Sequence, residues 1–544
     1  MLDKLSQKPI LTIIFVVGLM LLINIDVLQV SIMEARNFIT AREMVIDGNW
    51  IMTTMNGEPR YQKPPLPTWL TAISSMIFGL KSLFGLRLPA VIMIMVVGIY
   101  GYLFSRKLLK NHKHAFVNAL IMITSFYVIA IIVEAPWDIF AHGFTLIACY
   151  YLLLLFGNES KYWKNAILAG IFIGCSILSK APVSVYALLL PFLISYGITY
   201  KYKGFKRKAL AVVSLIIVAL LFGGWWFLYV RSNDPETFMA MANKETGNWS
   251  SYNVRPFYYY WSFFTQSGLW TIPAFISLLY PYLKSRVKNA KAYQLTLFWT
   301  IISLILLSII PEKKSRYLMP LLIPLALNTG FYINYLIDQF KDLKSKVETF
   351  PVYFNFGLIG LIAFLFPLTL IYMNEFLQDQ YLIWFFVASV VICIIGIALL
   401  FQLRRKRLDN VFLLTVGFMV SAFIFILPLT KSLYSTNYNP ILNLKNLTEK
   451  NDIKVYSLGG VSPETIWQFG DKIQPLTINN LLKGQIEGSQ FSILTNSINS
   501  KKLKALDKTY TIVKEAEYDL NIVNKDSRQY RDRLVSHYFE LTKK

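Results

Sequence analysis

Charged residues are scarce in this chain of 544 residues. Asp, Glu, Lys and Arg together make up 16% of the sequence, whereas 55% of the residues are hydrophobic and the mean hydropathy is +0.47. Soluble domains carry about 25% charged residues. The composition therefore excludes an ordinary soluble protein and indicates a polytopic membrane protein.

Cysteines are also few, and a nucleotide-binding loop is missing. Cys149, Cys175 and Cys393 lie inside apolar runs, and their spacing matches no metal-ligand pattern. We interpret them as packing residues, which leaves any segment outside the membrane without a disulfide. No Gly-rich nucleotide loop follows a candidate strand, so nothing resembles a soluble nucleotide-sugar enzyme.

The positive charge of the chain follows a membrane pattern. The formal net charge is +23, and most Lys and Arg residues lie in short connections between apolar blocks, as membrane orientation requires. No basic domain with interleaved aromatic residues is present, so nucleic acid is excluded as a partner. The basic connections predict a cytoplasmic N-terminus.

Apolar blocks long enough to cross a bilayer predict about thirteen transmembrane helices. The blocks lie near residues 9–30, 84–104, 115–133, 136–156, 165–179, 183–198, 209–230, 266–283, 293–310, 317–337, 354–373, 381–401 and 411–428. A shorter block at 66–80 is placed at the outer interface or as a re-entrant helix, because a separate crossing would invert the side of every later basic loop. No small-residue cleavage site follows the first block, which predicts an uncleaved span.

Two polar regions interrupt this pattern. Residues 31–65 form a long outer loop whose opening reads as an interfacial helix. Residues 431–544 are charged and amide-rich and predict a small extracytoplasmic α/β domain, whereas residues 1–430 form the transmembrane domain. Candidate strands of the small domain lie at 454–458, 491–494 and 510–513, and helical patterns lie at 463–469 and 500–507.

The outer loops carry a series of short motifs. They are EAR at 34–36, AREM at 41–44, DGNW at 47–50, GEPRY at 57–61, KPPL at 63–66, GCSILSKAPV at 174–183 and PEKKSRYLMPL at 311–321. In this order they resemble the lipid-linked-sugar glycosyltransferases of the C-type (GT-C) fold, especially the branch with aminoarabinose transferases and relatives of protein mannosyltransferases. The resemblance covers most of residues 1–430.

This resemblance implies a glycosyltransferase, a hexosyl or pentosyl transferase, in the bacterial cytoplasmic (inner) membrane. The donor would be a sugar on polyprenyl phosphate, and the acceptor a hydroxyl or phosphate group at the outer, periplasmic face. Lipid A, a cell-envelope glycan, another lipid and a protein all remain open as the acceptor. Membrane lipids are expected as partners.

Two carboxylates are the candidate catalytic residues. Glu34 lies in the polar outer loop and is the candidate general base. Asp138 matches an aspartate that opens a helix in the family, and it is expected to orient the acceptor or stabilise positive charge on the sugar. A helix-capping role is the alternative for Asp138. Glu134, Asp138 and His142 would share one helix face, although Pro136 predicts that the helix begins there.

Other outer-loop residues are candidates for substrate binding, because a positive-inside protein that keeps cations outside has a use for them, such as binding an anionic lipid phosphate. The candidates are Arg36, Arg60, Tyr61, Lys63, Glu134, His142, Lys180, Arg255, Lys313, Lys314 and Arg316. For Lys180, snorkelling at the interface is an equal alternative.

The chain departs from the family at three positions. Met33 precedes Glu34 where relatives have an acidic pair, Gln62 replaces a glutamate, and Asn253 replaces a histidine. The last two positions are associated with a metal in the aminoarabinose transferases, so no metal ligands are assigned and no cofactor is required, although a divalent metal is not excluded. The missing acid leaves an inactive transferase-like scaffold open. A transporter or lipid flippase is the other alternative, but it predicts mid-span charges and repeat symmetry.

Overall fold

The polypeptide forms two compact units in the computed structural model. The structure describes residues 1–157, 160–180, 182–373, 377–482, 486, 488–496 and 506–544. The first unit comprises Met1–Val27, Tyr61–Leu70 and Arg87–Leu429, and the second comprises Leu28–Arg60, Thr71–Leu86 and Thr430–Lys544. Ala181 and most of the helix predicted at 500–507 lie outside the described residues.

The described chain is mostly helical. In chain order, the helices of the described residues up to 251 are α1 (Leu2–Leu5), α2 (Pro9–Leu21), α3 (Ile32–Asp47), α4 (Leu66–Phe78), α5 (Leu83–Leu109), α6 (His112–Ile123), α7 (Phe126–Glu134), α8 (Pro136–Gly157), α9 (Tyr162–Lys180), α10 (Leu190–Tyr200), α11 (Phe205–Asn233) and α12 (Pro235–Ser251). Those that follow are α13 (Thr271–Ser277), α14 (Tyr280–Leu283), α15 (Ala290–Ile309), α16 (Met319–Gln339), α17 (Lys346–Leu365), α18 (Leu370–Met373), α19 (Asp379–Arg404), α20 (Leu408–Ser421), α21 (Leu444–Lys450), α22 (Pro463–Phe469) and α23 (Ile478–Leu482). Of these helices, α3, α21, α22 and α23 belong to the second unit.

Nine helices within the described ranges are long and apolar enough to cross a membrane. They are Leu83–Leu109, Pro136–Gly157, Tyr162–Lys180, Phe205–Asn233, Ala290–Ile309, Ser315–Gln339, Lys346–Tyr372, Asp379–Arg404 and Leu408–Leu433. The pair α6 and α7, bent by 43°, makes a tenth if it forms one span. These helices confirm a polytopic membrane fold.

The remaining predicted crossings differ from regular long helices. Blocks 9–30 and 183–198 contain shorter apolar helices, Pro9–Leu21 and Val185–Tyr200. Block 266–283 is divided among short helical segments, and Gly268 has a φ of 65° that interrupts the first of them. The total of thirteen therefore stays a prediction. So does the position of block 66–80, where α4 has only 13 residues.

Helices α9 and α11 approach each other at glycines. A Cβ atom added to Gly174 would lie 2.5 Å from the Cβ of Phe222, and one added to Gly223 would lie 2.9 Å from the carbonyl oxygen of Gly174. Neither distance leaves room for a side chain. Small residues let the two backbones meet, as is common between helices in membranes.

The second unit contains a five-stranded sheet. Its strands are β3 (Val455–Leu458), β4 (Gln474–Leu476), β5 (Gln490–Thr495), β6 (Tyr510–Asp519) and β7 (Val535–Lys543). Two further strands, β1 (Thr54–Met55) and β2 (Glu58–Pro59), form a separate hairpin. The sheet order is β4-β3-β5-β7-β6, with β3 parallel to β4 and β5, and β7 antiparallel to β5 and β6. The strands confirm a small C-terminal sheet domain, and β3, β5 and β6 overlap the three predicted strands.

The polar loop contributes helix α3 and the hairpin to this second unit. Helix α3 packs against α22, where the rings of Phe38 and Trp467 meet edge to face at 5.2 Å. Asn56 and Gly57 form the hairpin turn with positive φ values of 59° and 81°. An Asn-Gly pair favours this type of turn.

A buried carboxylate holds the hairpin to α3. Glu43 accepts hydrogen bonds from the Thr54 hydroxyl at 2.6 Å, the Asn56 amide at 2.6 Å and the Gly57 amide at 3.2 Å. Only 1% of Glu43 is exposed. Burying a carboxylate without hydrogen-bond donors costs free energy. The three bonds to Glu43 therefore hold the hairpin turn of the polar loop in place against α3.

Replacing Glu43 with Ala is expected to destabilise the protein by about 2–3 kcal/mol, because three donors lose a charged acceptor. Thermal unfolding of the purified protein in detergent measures the change. Glu58→Ala removes an exposed carboxylate from the same hairpin and serves as the matched control, with a change of about 0.5 kcal/mol or less. Equal losses in both variants would contradict the structural role of Glu43.

Candidate active site

Asp138 and Lys180 form a buried ion pair in the first unit. Asp138 lies in the first turn of α8, and Lys180 is the last residue of α9. The Lys180 Nζ atom donates to Oδ1 at 2.6 Å and to Oδ2 at 2.7 Å of Asp138. An acid at a helix start and a base at a helix end are each favoured by the helix dipole. Lys180 is thus paired with a carboxylate, a partner that the sequence did not predict.

His142 lies one turn after Asp138 on α8. Its Nδ1 atom is 2.8 Å from the hydroxyl oxygen of Ser184, and both residues are buried. Within the described part of the chain, the Nε2 atom of His142 has no hydrogen-bond partner. A histidine in this position can hold a proton on either nitrogen, so Ser184 sets its ring orientation without fixing its tautomer.

Glu134 ends the preceding helix. Helix α7 ends at Glu134, Ala135 adopts a non-helical conformation, and α8 begins at Pro136. The helix start predicted at Pro136 is confirmed, so Glu134 does not share a continuous helix with Asp138. Glu134 instead accepts a hydrogen bond of 2.5 Å from the hydroxyl of Tyr127, which is the second residue of α7.

The segment around Arg255 pairs with the motif at 311–321 through backbone hydrogen bonds. The Arg255 amide donates to the Pro311 carbonyl at 3.2 Å, and the Lys313 amide donates to the Asn253 carbonyl at 3.1 Å. The Tyr260 hydroxyl accepts from the Lys314 amide at 2.9 Å. The sequence predicted Arg255, Lys313 and Lys314 as substrate-binding residues, and the structure brings their two segments together.

Three cations surround one aromatic ring next to this pairing. The Nζ atoms of Lys180 and Lys314 lie 5.1 Å and 5.6 Å from the centre of the Tyr317 ring, and the Arg316 guanidinium carbon lies at 5.8 Å. Lys314 also pairs with Glu312. These residues, Lys180, Lys314, Arg316 and Tyr317, are named the cation cluster. Lys313 is separate, since its Nζ atom donates to the Ile310 carbonyl.

Tyr61 and Lys63 also belong to the first unit. The Tyr61 hydroxyl donates to Asp234 at 3.1 Å, and Asp234 caps α12. Burial, followed by the neighbouring Asp234 carboxylate, raises the pKa of Tyr61 to about 12. Tyr61 therefore stays protonated at neutral pH and can act as a hydrogen-bond donor. Lys63 is half-buried two residues further on.

Glu34 lies in the second unit and completes a capping box. Its amide donates to the Ser31 hydroxyl at 3.2 Å, and its carboxylate accepts from the Ser31 amide at 3.1 Å. This arrangement stabilises the start of α3. The carboxylate that the sequence predicted as a base thus has a structural role in the fold.

Arg36 and Arg60 accompany Glu34 in the second unit. The Arg60 guanidinium donates to the Thr40 hydroxyl at 3.1 Å. Burial, together with repulsion from Arg36, lowers the pKa of Arg60 to about 9. The Glu43 carboxylate acts on Arg60 in the opposite sense and raises its pKa.

The resemblance associates two positions of this chain, Gln62 and Asn253, with a metal. Asn253 offers its backbone carbonyl to Lys313, and Gln62 carries an amide side chain. Among the residues that the structure describes, no three His, Cys, Asp or Glu side chains lie close enough together to hold a metal ion. The absence of a required metal stays a prediction.

Comparisons with known proteins agree on the class of fold. A family model described as dolichyl-phosphate-mannose-protein mannosyltransferase matches residues 62–226. An undecaprenyl phosphate-alpha-4-amino-4-deoxy-L-arabinose arabinosyl transferase of Proteus mirabilis is 26% identical over 61% of the chain, and one of Pseudomonas fluorescens is 25% identical over 61%. The chain spans 60% of the length of each of these curated relatives.

A solved structure covers nearly the whole chain. ArnT from Cupriavidus metallidurans, solved bound to undecaprenyl phosphate, matches with a TM-score of 0.71 and 14% identity over 97% of both chains. Its apo structure matches with a TM-score of 0.69 over 98% of both. The chain has the GT-C fold. The resemblance predicted from the motifs is confirmed.

Sequence reasoning about this GT-C chain missed several partners of the predicted site residues. Tyr317 directly follows Arg316 in a predicted motif, and an aromatic residue next to a cation could have predicted a cation–π contact. Ser184 follows the predicted Lys180 motif, but only the fold brings it to His142. The capping box at Ser31 was readable from its spacing to Glu34.

Breaking the Asp138–Lys180 pair from one side is expected to cost about 3–5 kcal/mol, because Lys180→Met leaves a buried carboxylate without its cation. The Asp138→Asn/Lys180→Met double variant should recover most of that loss. Thermal unfolding in detergent tests the coupling, with Lys164→Met on the exposed side of the same helix as the control. A double variant that is no more stable than Lys180→Met would contradict it.

Proposed function

We propose that the protein is an integral membrane glycosyltransferase that transfers a sugar from polyprenyl phosphate to a hydroxyl or phosphate group of an acceptor. The observation that carries this proposal is the cation cluster around Tyr317, next to the Asp138 carboxylate. Cations placed where charge develops stabilise a phosphate leaving group. The overall likeness to a protein solved with undecaprenyl phosphate supports the same donor class.

The proposed reaction is a direct displacement. The acceptor oxygen forms a bond to the anomeric carbon while the bond from that carbon to the phosphate oxygen breaks. The electron pair leaves with polyprenyl phosphate, whose negative charge Lys314 and Arg316 neutralise. The acceptor proton passes to a carboxylate, for which Glu34 is the candidate general base. Such a displacement inverts the anomeric centre.

Asp138 has a supporting role in this proposal. Its pairing with Lys180 holds the carboxylate near the cluster, where it orients the acceptor. Because Asp138 offsets the charge of Lys180, the positive charge left for the phosphate comes mainly from Lys314 and Arg316. Lys314 shares its charge with Glu312, so Arg316 contributes most.

The place and partners of the reaction are part of the same proposal. The N-terminus is cytoplasmic, residues 1–430 form the transmembrane domain, and residues 431–544 lie on the extracytoplasmic side. The relatives of Proteus mirabilis and Pseudomonas fluorescens carry names of aminoarabinose transferases. The acceptor in this proposal is lipid A, a cell-envelope glycan, another lipid or a protein, and the radiolabel assay described next identifies it.

Arg316→Gln is expected to reduce sugar transfer by about 100-fold or more, because a transition-state cation is worth several kcal/mol in a dry site. The assay follows radiolabel from polyprenyl-phosphate sugars into endogenous membrane acceptors at matched expression. Arg207→Gln, in an exposed basic segment at the start of α11, is the charge-matched control. Full transfer by Arg316→Gln would overturn the proposed phosphate site.

Glu34→Gln separates catalysis from folding. A glutamine oxygen can still accept the Ser31 amide proton, so the capping box is retained while the base is lost. Transfer is expected to fall by about 10²- to 10⁴-fold, with an unchanged thermal midpoint. Transfer near the wild-type rate would assign Glu34 to the capping box alone.

Chelation with EDTA is expected to leave transfer within about twofold of the untreated enzyme, because the metal-associated positions hold Gln62 and Asn253. The same radiolabel assay, with and without added divalent cations, measures this. Loss of transfer on chelation with recovery on one added metal would show that other groups bind a required ion.

A further inference from the structure

The first unit contains a polar cavity far from the cation cluster. It encloses about 330 Å³ and is lined by the end of α5, the segment before α15 and the last turns of α16. The cation cluster lies before the other end of α16. This helix has 21 residues, which corresponds to roughly 30 Å, so the cavity is a separate feature of the molecule.

Basic side chains dominate the lining of this cavity. Lys110, Arg286 and Lys288 contribute three positive charges, whereas Asp338 contributes one negative charge. Lys288 pairs with Asp338 at 2.8 Å, but 75% of the Lys288 side chain is exposed and free to turn. Arg286 is held more firmly, since it donates to Glu348 at 2.7 Å and to the Tyr282 carbonyl at 2.7 Å.

Two helices begin at the cavity and add to its positive potential. Asn111 caps α6 through the His114 amide at 2.9 Å, and Asn289 caps α15 through the Ala292 amide at 3.0 Å. Both caps line the cavity. Helix starts present partial positive charge and unpaired amides, which suit an anion.

A buried histidine provides an independent sign of a ligand. His114 lines the cavity, is 7% exposed, and packs edge-on against Phe331 at 4.8 Å. Its Nε2 atom makes no hydrogen bond of standard geometry among the described residues, although the Gly330 backbone lies close enough to form a weak one. Buried polar groups of this kind usually have a partner.

We infer that this cavity binds a phosphate-bearing anion. A phosphate offers several strong acceptor oxygens, enough for Lys110 and Lys288 at once, and the partial positive charge of the two helix starts favours its negative charge. The group could belong to an anionic lipid or to a soluble phosphate, because the recognising chemistry is the same. This site goes beyond the proposed transferase activity and does not depend on it.

Binding of radiolabelled inorganic pyrophosphate tests the inference. The full-length protein is placed in phosphatidylcholine nanodiscs at fixed ionic strength, and the bound label is measured by equilibrium dialysis. All binding measurements use the Arg316→Gln variant as the parent protein, because this substitution weakens binding at the cation cluster. Saturable binding of pyrophosphate that remains in this variant is assigned to the cavity. In that background, Lys110→Gln/Lys288→Gln is expected to weaken binding roughly tenfold or more.

Two further variants keep this test independent of protein stability. Lys291→Gln removes an exposed charge from the first turn of α15, outside the cavity lining, and should leave binding unchanged. Asp338→Asn removes the carboxylate that competes for Lys288 and should tighten binding about threefold, which a misfolded variant would not do. The four proteins compared are the Arg316→Gln parent and its derivatives with Lys110→Gln/Lys288→Gln, Lys291→Gln or Asp338→Asn. Equal affinities for pyrophosphate in all four would overturn the inference.

The lipid composition of the nanodiscs identifies the source of the phosphate group. If phosphatidylglycerol in the disc displaces pyrophosphate from the cavity, the natural ligand is a lipid headgroup. If pyrophosphate binding is unaffected by phosphatidylglycerol and still depends on Lys110 and Lys288, the ligand is a soluble phosphate. Both results support the site, whereas no saturable binding in the Arg316→Gln background would contradict it.

Discussion

A buried charge must have a partner, and the pairing of Asp138 with Lys180 satisfies this requirement for the first unit. The pair joins the first turn of one apolar helix to the last residue of the next, where both helix dipoles favour it. It therefore fixes the axial position of α8 relative to α9. The neighbouring His142 and Tyr317 take their places from these two helices and from the loop beside them.

The acidic residues of the polar loop have structural roles of the same kind. Glu34 closes a capping box and Glu43 gathers three donors from a hairpin, so each carboxylate stabilises its own local fold. Chemistry at Glu34 would thus use a carboxylate that the capping box already orients. Preorganisation of this type places a catalytic group without a further entropic cost at the moment of reaction.

Much of the fold followed from local patterns, whereas the site depended on distant contacts. Apolar length predicted nine of the spans, and Pro136 predicted the start of α8, because both signals are local. The ion pair joins residues 42 positions apart, and no spacing rule indicates such a contact. Residues 31–65 were predicted to form an outer loop that opens with an interfacial helix, whereas the packing of α3 against α22 within the second unit depends on the folded chain.

Glycines also help to position the buried ion pair. The glycines at which α9 and α11 meet leave no space for a methyl group, and Gly174 lies less than two turns before Lys180 on the same helix. A methyl group there would displace the end of α9 and carry the ammonium group away from its carboxylate. The tolerance of this seam to mutation therefore depends on the Asp138–Lys180 pair as much as on packing, and a substitution at one of these buried glycines would resemble the loss of a charged partner.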